Sequence, residues 1–162
     1  MRSLIAIAIM ALVSVPATAQ KMQTKSGSDN IEVLGHVPLG HHSSVTDLEL
    51  EQDLDRPYAY IGRASIVDGG PKGMDIIELS NPAAPKVIYE FRLEFQDLLP
   101  NRGGMDVKYF RTGGRHYVVQ SFEFGSGPFH DLGAVVFDVT GLPDPNQVKE
   151  VARLKVPDLS GG

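Results

Sequence analysis

An all-β fold made of two four-stranded antiparallel units is what this sequence predicts, on three observations. From Asn30 onward, short runs rich in Val, Ile, Tyr and Phe are separated every 8 to 14 residues by clusters of Gly, Pro, Asn and Asp, which is the spacing of strands and turns. No window holds a sustained 3.6-residue period, so no helix is expected. The chain also repeats itself at a shift of about 60 residues. A fixed period of four short strands is the sequence signature of a β-propeller blade, a sheet that cannot bury both of its faces alone.

The segments follow in order. Residues 1–19 place one basic residue, Arg2, before an apolar run from Leu4 to Val15 and close on Ala17-Thr18-Ala19, the small-x-small pattern that signal peptidase cuts. This reads as a secretory signal peptide, since an apolar run of about a dozen residues falls short of the roughly 20 that a membrane span needs. No cysteine follows the cut, so a lipid anchor has no attachment residue. The expected address is therefore the periplasm or the cell exterior, with no membrane span left after signal removal. Residues 20–30, "QKMQTKSGSDN", show neither hydrophobic period and are expected to form a flexible leader.

Composition narrows the partners. The chain carries 15 Lys and Arg against 20 Asp and Glu, a net charge of −5, the wrong sign for a nucleic-acid groove or an anionic membrane surface. With no cysteine, an exported protein would be held by its core and backbone pairing, without disulfides.

Strands are expected at 31–37, 44–51, 57–63, 73–79, 86–93, 104–111, 115–122, 132–139 and 147–155. They group into a lone strand over 31–37, a blade over 44–93 and a blade over 104–155, a partial propeller spanning 31–162. The two blades align: Asp47 lies over Asp106 and Tyr58 over Tyr117 at a shift of 59, "GMDIIELS" over "GAVVFDVT" at 60, and "KVIYEFRL" over "QVKEVARL" at 61. A shift that grows slowly within the unit is what loop insertions produce. Turn chemistry agrees with this register. Thr112-Gly113-Gly114-Arg115 supplies the two positive-φ positions of a tight primed hairpin turn. In "ELSNPAAPKV", Ser80 and Asn81 can bond back to nearby backbone N–H groups, and Pro85 opens a strand where no ladder donor is needed.

"DIIELSNPAAPKVIYEF", residues 75–91, resembles the core of the LVIVD-type repeat. That β-propeller repeat of exported bacterial and archaeal proteins has an apolar strand ending in Asp, Leu or Val, then Ser/Thr-Asn/Asp-Pro, a second Pro and an outer strand. "AVVFDVTGLPDPNQVKEVARL", residues 134–154, repeats it with a longer turn. Glu78 replaces the usual Asp, and the units are longer than the family's typical ones. The resemblance implies a fold and an exported address, and no reaction or catalytic residue. Two blades cannot close a ring, because propellers need about four to eight. "IEVLGHV", residues 31–37, resembles the outer strand of each unit, as though it completed a last blade. The expectation is a part of a larger propeller whose ring needs missing blades or a partner chain.

Candidate site residues cluster before the inner strands. His41, His42 and Ser43 precede the first inner strand, a place that faces the central channel in propellers. Adjacent histidines on an extended chain point to opposite faces, so a zinc site would need a further ligand, and the HExxH spacing is absent. A divalent metal held by His41, His42 and Asp47 is one expectation for them; capping a loop by hydrogen bonding is the blander one. Asp47, Glu49 and Glu51 alternate and so share one face of an extended strand, read as a solvated acidic face. An EF-hand loop begun at Asp47 fails because Gln52 and Tyr58 stand where Gly and Glu are required. "DGGPKGMD" lacks the GK[ST] of a phosphate loop, and "FGSGPFHD" has no GxSxG elbow. Arg102 and His130 complete the candidate ligand-binding set.

Two functional classes result, with a third behind them. The first is an exported binding or interaction module that presents loops to an unknown protein, glycan or small molecule. The second is a metal-assisted propeller enzyme, a hydrolase or oxidoreductase, with channel histidines as ligands. The third is a self-assembling structural protein, since exposed strand edges invite pairing.

Overall fold

The computed structural model describes residues 30–40, 44–65, 70–95, 102–124 and 127–156. They form eight strands: β1 Val45–Leu50, β2 Tyr58–Arg63, β3 Gly73–Glu78, β4 Lys86–Arg92, β5 Gly103–Thr112, β6 Arg115–Glu123, β7 Leu132–Asp138 and β8 Lys149–Lys155. Among the described residues the one other regular element is a single 3-10 turn, Pro145–Gln147, capped where Asp144 accepts from the Asn146 N–H. β1 to β4 pair in sequence order as one antiparallel sheet and β5 to β8 as a second. The expected all-β architecture of two four-stranded units is thus observed, each strand within two residues of its expected bounds.

Local chemistry explains the elements. β2, "YAYIGR", shows no clean alternation because all six of its residues are buried; a central strand covered on both faces has no side to keep polar. Gly113 and Gly114 sit at φ of 57° and 74°, so the β5–β6 hairpin closes on a type I′ turn, which suits the right-handed twist of its strands. Before β4, Asn81 Oδ1 accepts from the Ala83 N–H at 3.2 Å, whereas Ser80 turns to the Glu78 carboxylate at 2.9 Å and makes no backbone bond there.

The sheets stack face to face over one core. Tyr58, Tyr60, Met74 and Ile76 of the first sheet meet Val107, Val118, Phe122, Val135 and Phe137 of the second, all buried. Phe91 seats its ring edge-on to Phe137 at 4.8 Å and Phe122 at 6.3 Å, the arrangement that ring quadrupoles favour. The backbones come close at Gly62, where a Cβ would stand 2.6 Å from the Met105 carbonyl oxygen. Thr46 Oγ1 donates to Gly104 O at 2.6 Å across the same seam.

The strand expected over 31–37 is not formed. Residues 31–39 join no ladder, because the stretch that follows Val33 lies across a sheet face and not along an open edge. Val37 and Leu39 pack on Ala59, Ile61 and Ile77, the side of the first sheet turned away from the second. The leader and signal residues before Asn30 lie outside the described residues, as do 157–162.

Register places the connections at two ends. Arg63 pairs with Gly73 and Gly73 with Arg92, Gly103 pairs with Glu123, and Ala64 bridges Gly103. The strand ends at Arg63, Gly73, Arg92, Gly103, Glu123 and Leu132 therefore gather at one end, here the loop end, with Ser44 leading into β1. The β1–β2, β3–β4, β5–β6 and β7–β8 turns gather at the other, the hairpin end.

Candidate functional site

Arg102 and His130, expected as ligand-binding residues, stand at the loop end, while His41, His42 and Ser43 lie outside the described residues. Arg102 is spent on an ion pair with Glu123, both about half exposed. His130 Nδ1 is 3.0 Å from Gly127 O in an exposed turn. The first sheet holds a buried ionic core of its own. The Arg63 side chain, 2% exposed, pairs with Asp75, whose other oxygen lies 2.5 Å from Arg92. Arg63 also donates to Ser44 O at 3.0 Å, Ser44 Oγ at 2.9 Å and Leu39 O at 2.6 Å. A buried guanidinium with a carboxylate and three further acceptors is fully compensated, and its work is to fasten Leu39 and Ser44 to the sheet.

Asp47 is not on a solvated face. Its Oδ2 accepts from the Val107 N–H at 3.0 Å and from Lys108 Nζ at 2.9 Å on the second sheet. The Lys108 bond first, and then the Val107 amide, hold the Asp47 carboxyl below the usual carboxylate range. Glu49 follows the same direction, 3.6 Å from Lys108 Nζ, and Glu51 is buried. The alternation of acids was visible, but the face they share turns inward to β5, leaving Val45, Leu48 and Leu50 exposed on the other side. Among the described residues no group of three or more His, Asp or Glu side chains is placed to hold a metal ion.

A second polar cluster, unforeseen in the sequence, fills the hairpin end between the sheets. Arg56 grips Glu51 with two bonds, Nε to Oε2 at 2.8 Å and a terminal nitrogen to Oε1 at 3.1 Å, and reaches Val139 O at 3.0 Å on the second sheet. The Tyr60 hydroxyl donates to the same carboxylate; burial above all, with Glu51 beside it, pushes that phenol far above its usual value. His116 Nδ1 shares a 2.6 Å hydrogen bond with the Tyr109 hydroxyl and lies 3.9 Å from Glu51. Burial, then the Arg56 charge, pushes His116 below its usual value, so at neutral pH the ring is uncharged. Every acceptor on Glu51 is engaged, which makes the cluster a lock between sheets and not an acid–base centre awaiting substrate. Its one sequence signal was the place of Glu51 in the run of alternating acids; its partners come from a turn and three other strands.

Outside these clusters, both outer faces carry exposed apolar side chains. On the second sheet Phe110 stacks on Tyr117 at 5.3 Å while staying 40% exposed, and Leu154 is 54% exposed. On the first, Leu48 is 53% exposed. Compared with protein-family models, with curated proteins and with solved structures, the chain matches none. Among the described residues no helix is long and apolar enough to cross a membrane.

Proposed function

We propose that this chain is an exported binding or interaction module, built of β-propeller blades of the LVIVD-repeat kind, whose ligand is a protein, glycan or small molecule. The observation that carries the reading is the distribution of side chains. The Arg63–Asp75–Arg92 and Glu51–Arg56 groups are consumed in ion pairs and hydrogen bonds within the chain, whereas large apolar side chains, Val45, Leu48, Phe110 and Leu154, stand at the surface. Exposed apolar patches on a folded protein mark places where something docks. The four-stranded meanders are compatible with propeller blades, and their tight stacking makes a rigid platform for such a surface. The test is photo-cross-linking in cells that naturally make the protein, with a photoreactive residue placed at Leu48, at Phe110 or at Arg102. A reproducible adduct with another molecule is expected from at least one position. Adduct-free protein at all three positions would sink the reading.

A further inference from the structure

The two outer sheet faces, that of the first sheet covered in part by Val37 and Leu39, are not unrelated surfaces. The repeat carries Tyr58 onto Tyr117 at a shift of 59 and Ile76 onto Val136 at a shift of 60. Tyr58 and Ile76 belong to the core between the sheets. Tyr117 and Val136, with Val119, belong to the opposite side of the second sheet, since Val118 and Val135 between them face that core. The converse also holds. Val107, Val118 and Phe137, the second sheet's buried side, correspond to Leu48, Ala59 and Ile77, which line the outer side of the first sheet. Within the chain, then, the contact is head to tail: one kind of face on the other kind. Each remaining face is the repeat counterpart of a surface that already has a fitting mate.

The polar groups follow the same rule. Asp47 reaches across the seam to the Val107 N–H. Its counterpart Asp106 is exposed on β5, its carboxylate makes no hydrogen bond or ion pair among the described residues, and the counterpart of Val107 is Leu48. We propose that the bare face of the second sheet docks the exposed β1 strand of a second copy of this chain, repeating between chains the β1 part of the contact that the two sheets make within one. Val37 and Leu39 already cover Ala59, Ile61 and Ile77, so the copy seats on β1 alone, where Val45, Leu48 and Leu50 are 48%, 53% and 39% exposed. This rests on the interaction-module reading and gives that module a partner. A head-to-tail interface does not satisfy both faces in a dimer; it continues to a ring if the rotation closes and to a filament if it does not.

The experiment is sedimentation of the full processed chain, with Val119→Asp on one face, Leu48→Asp on the other, and an equimolar mixture of the two. The wild type is expected to associate at about 100 µM or below, each variant alone to associate at least roughly tenfold more weakly, and the mixture to form a heterodimer, since each variant keeps the face the other lost. A misfolded variant could not complement, so the mixture also guards against loss of fold; Phe110→Ser serves as a milder second probe of the same face. A monomeric wild type overturns the proposal, as does a mixture that fails to pair or an effect confined to Val119→Asp, which would mark a two-fold contact. The two failures separate: a monomer that still cross-links another molecule in cells loses the second copy but keeps the module, and a protein that forms no adduct loses the module itself.

Discussion

Arg56 carries more of the inter-sheet connection than any neighbouring charge, because one guanidinium holds a buried carboxylate and a carbonyl from the facing sheet at once. Arg56→Met leaves Glu51 buried without its counter-ion, and removal of one member of a buried pair costs about 3 to 5 kcal/mol; urea unfolding of the variant should show a loss of that order. His116 gives a pH signature of known sign. Its folded pKa lies below the ordinary value of about 6.5, so the unfolded chain binds the proton more readily. The stability due to neutral His116 is complete above that pH and declines as pH falls below it. His116→Gln should flatten this part of the stability profile. Asp138 acts lower on the scale: its burial works to raise the pKa, but bonds from Thr140 and Arg115 outweigh it and hold the carboxyl at about 2. Its contribution is present above the unfolded value near 4 and lost as pH falls toward 2, and Arg115→Gln should move that acid limb upward. None of these roles was legible in the sequence. Alternation says which residues share a face but not which face is buried, and so the acids of β1 were expected in water. Glu51 gained its meaning only from the fold, which brings Arg56, Tyr60 and His116 to it.

At the scale of elements the sequence was more informative. Strands announced themselves because Val, Ile and Tyr runs between Gly and Pro clusters leave the backbone few alternatives, and Gly113-Gly114 stated its own turn type. Substituting Val at both positions should cost about 1 kcal/mol or more per residue, since a side chain at positive φ meets the backbone, with the loss measured by thermal unfolding. Gly62 has a different role that only the fold reveals: β2 and β5 approach there too closely for a Cβ. Gly62→Ala should destabilise by about 1 to 3 kcal/mol through overpacking. The stretch 31–37 shows the limit of such inference, for a strand-like composition makes a strand only where an open ladder awaits it. Val37 and Leu39 instead spend their apolar surface on a sheet face.

For the whole molecule, the grouping of strands in fours was the legible feature, and the two four-stranded sheets have that number; their sequential order comes from the structure. What that grouping left out is that the core belongs to neither sheet alone: Tyr60 and Met74 from one and Val118 and Phe137 from the other make a single buried cluster. The two sheets should therefore unfold together. Tryptophan reporters placed at Tyr89 and, separately, at Tyr117 are expected to give coincident urea transitions; separated midpoints would show that the sheets are independent.

The meander itself sets a schedule for folding. Every ladder joins strands that are neighbours in sequence, so each hairpin closes a short loop at small entropic cost, and such local pairings form early and fast. The first sheet is complete in sequence by Arg92, before any of the second has been synthesised. Its apolar side must wait in solvent for Val107 and Phe137 to arrive, and that interval, rather than strand pairing, is when the nascent chain is most open to misassembly with its neighbours.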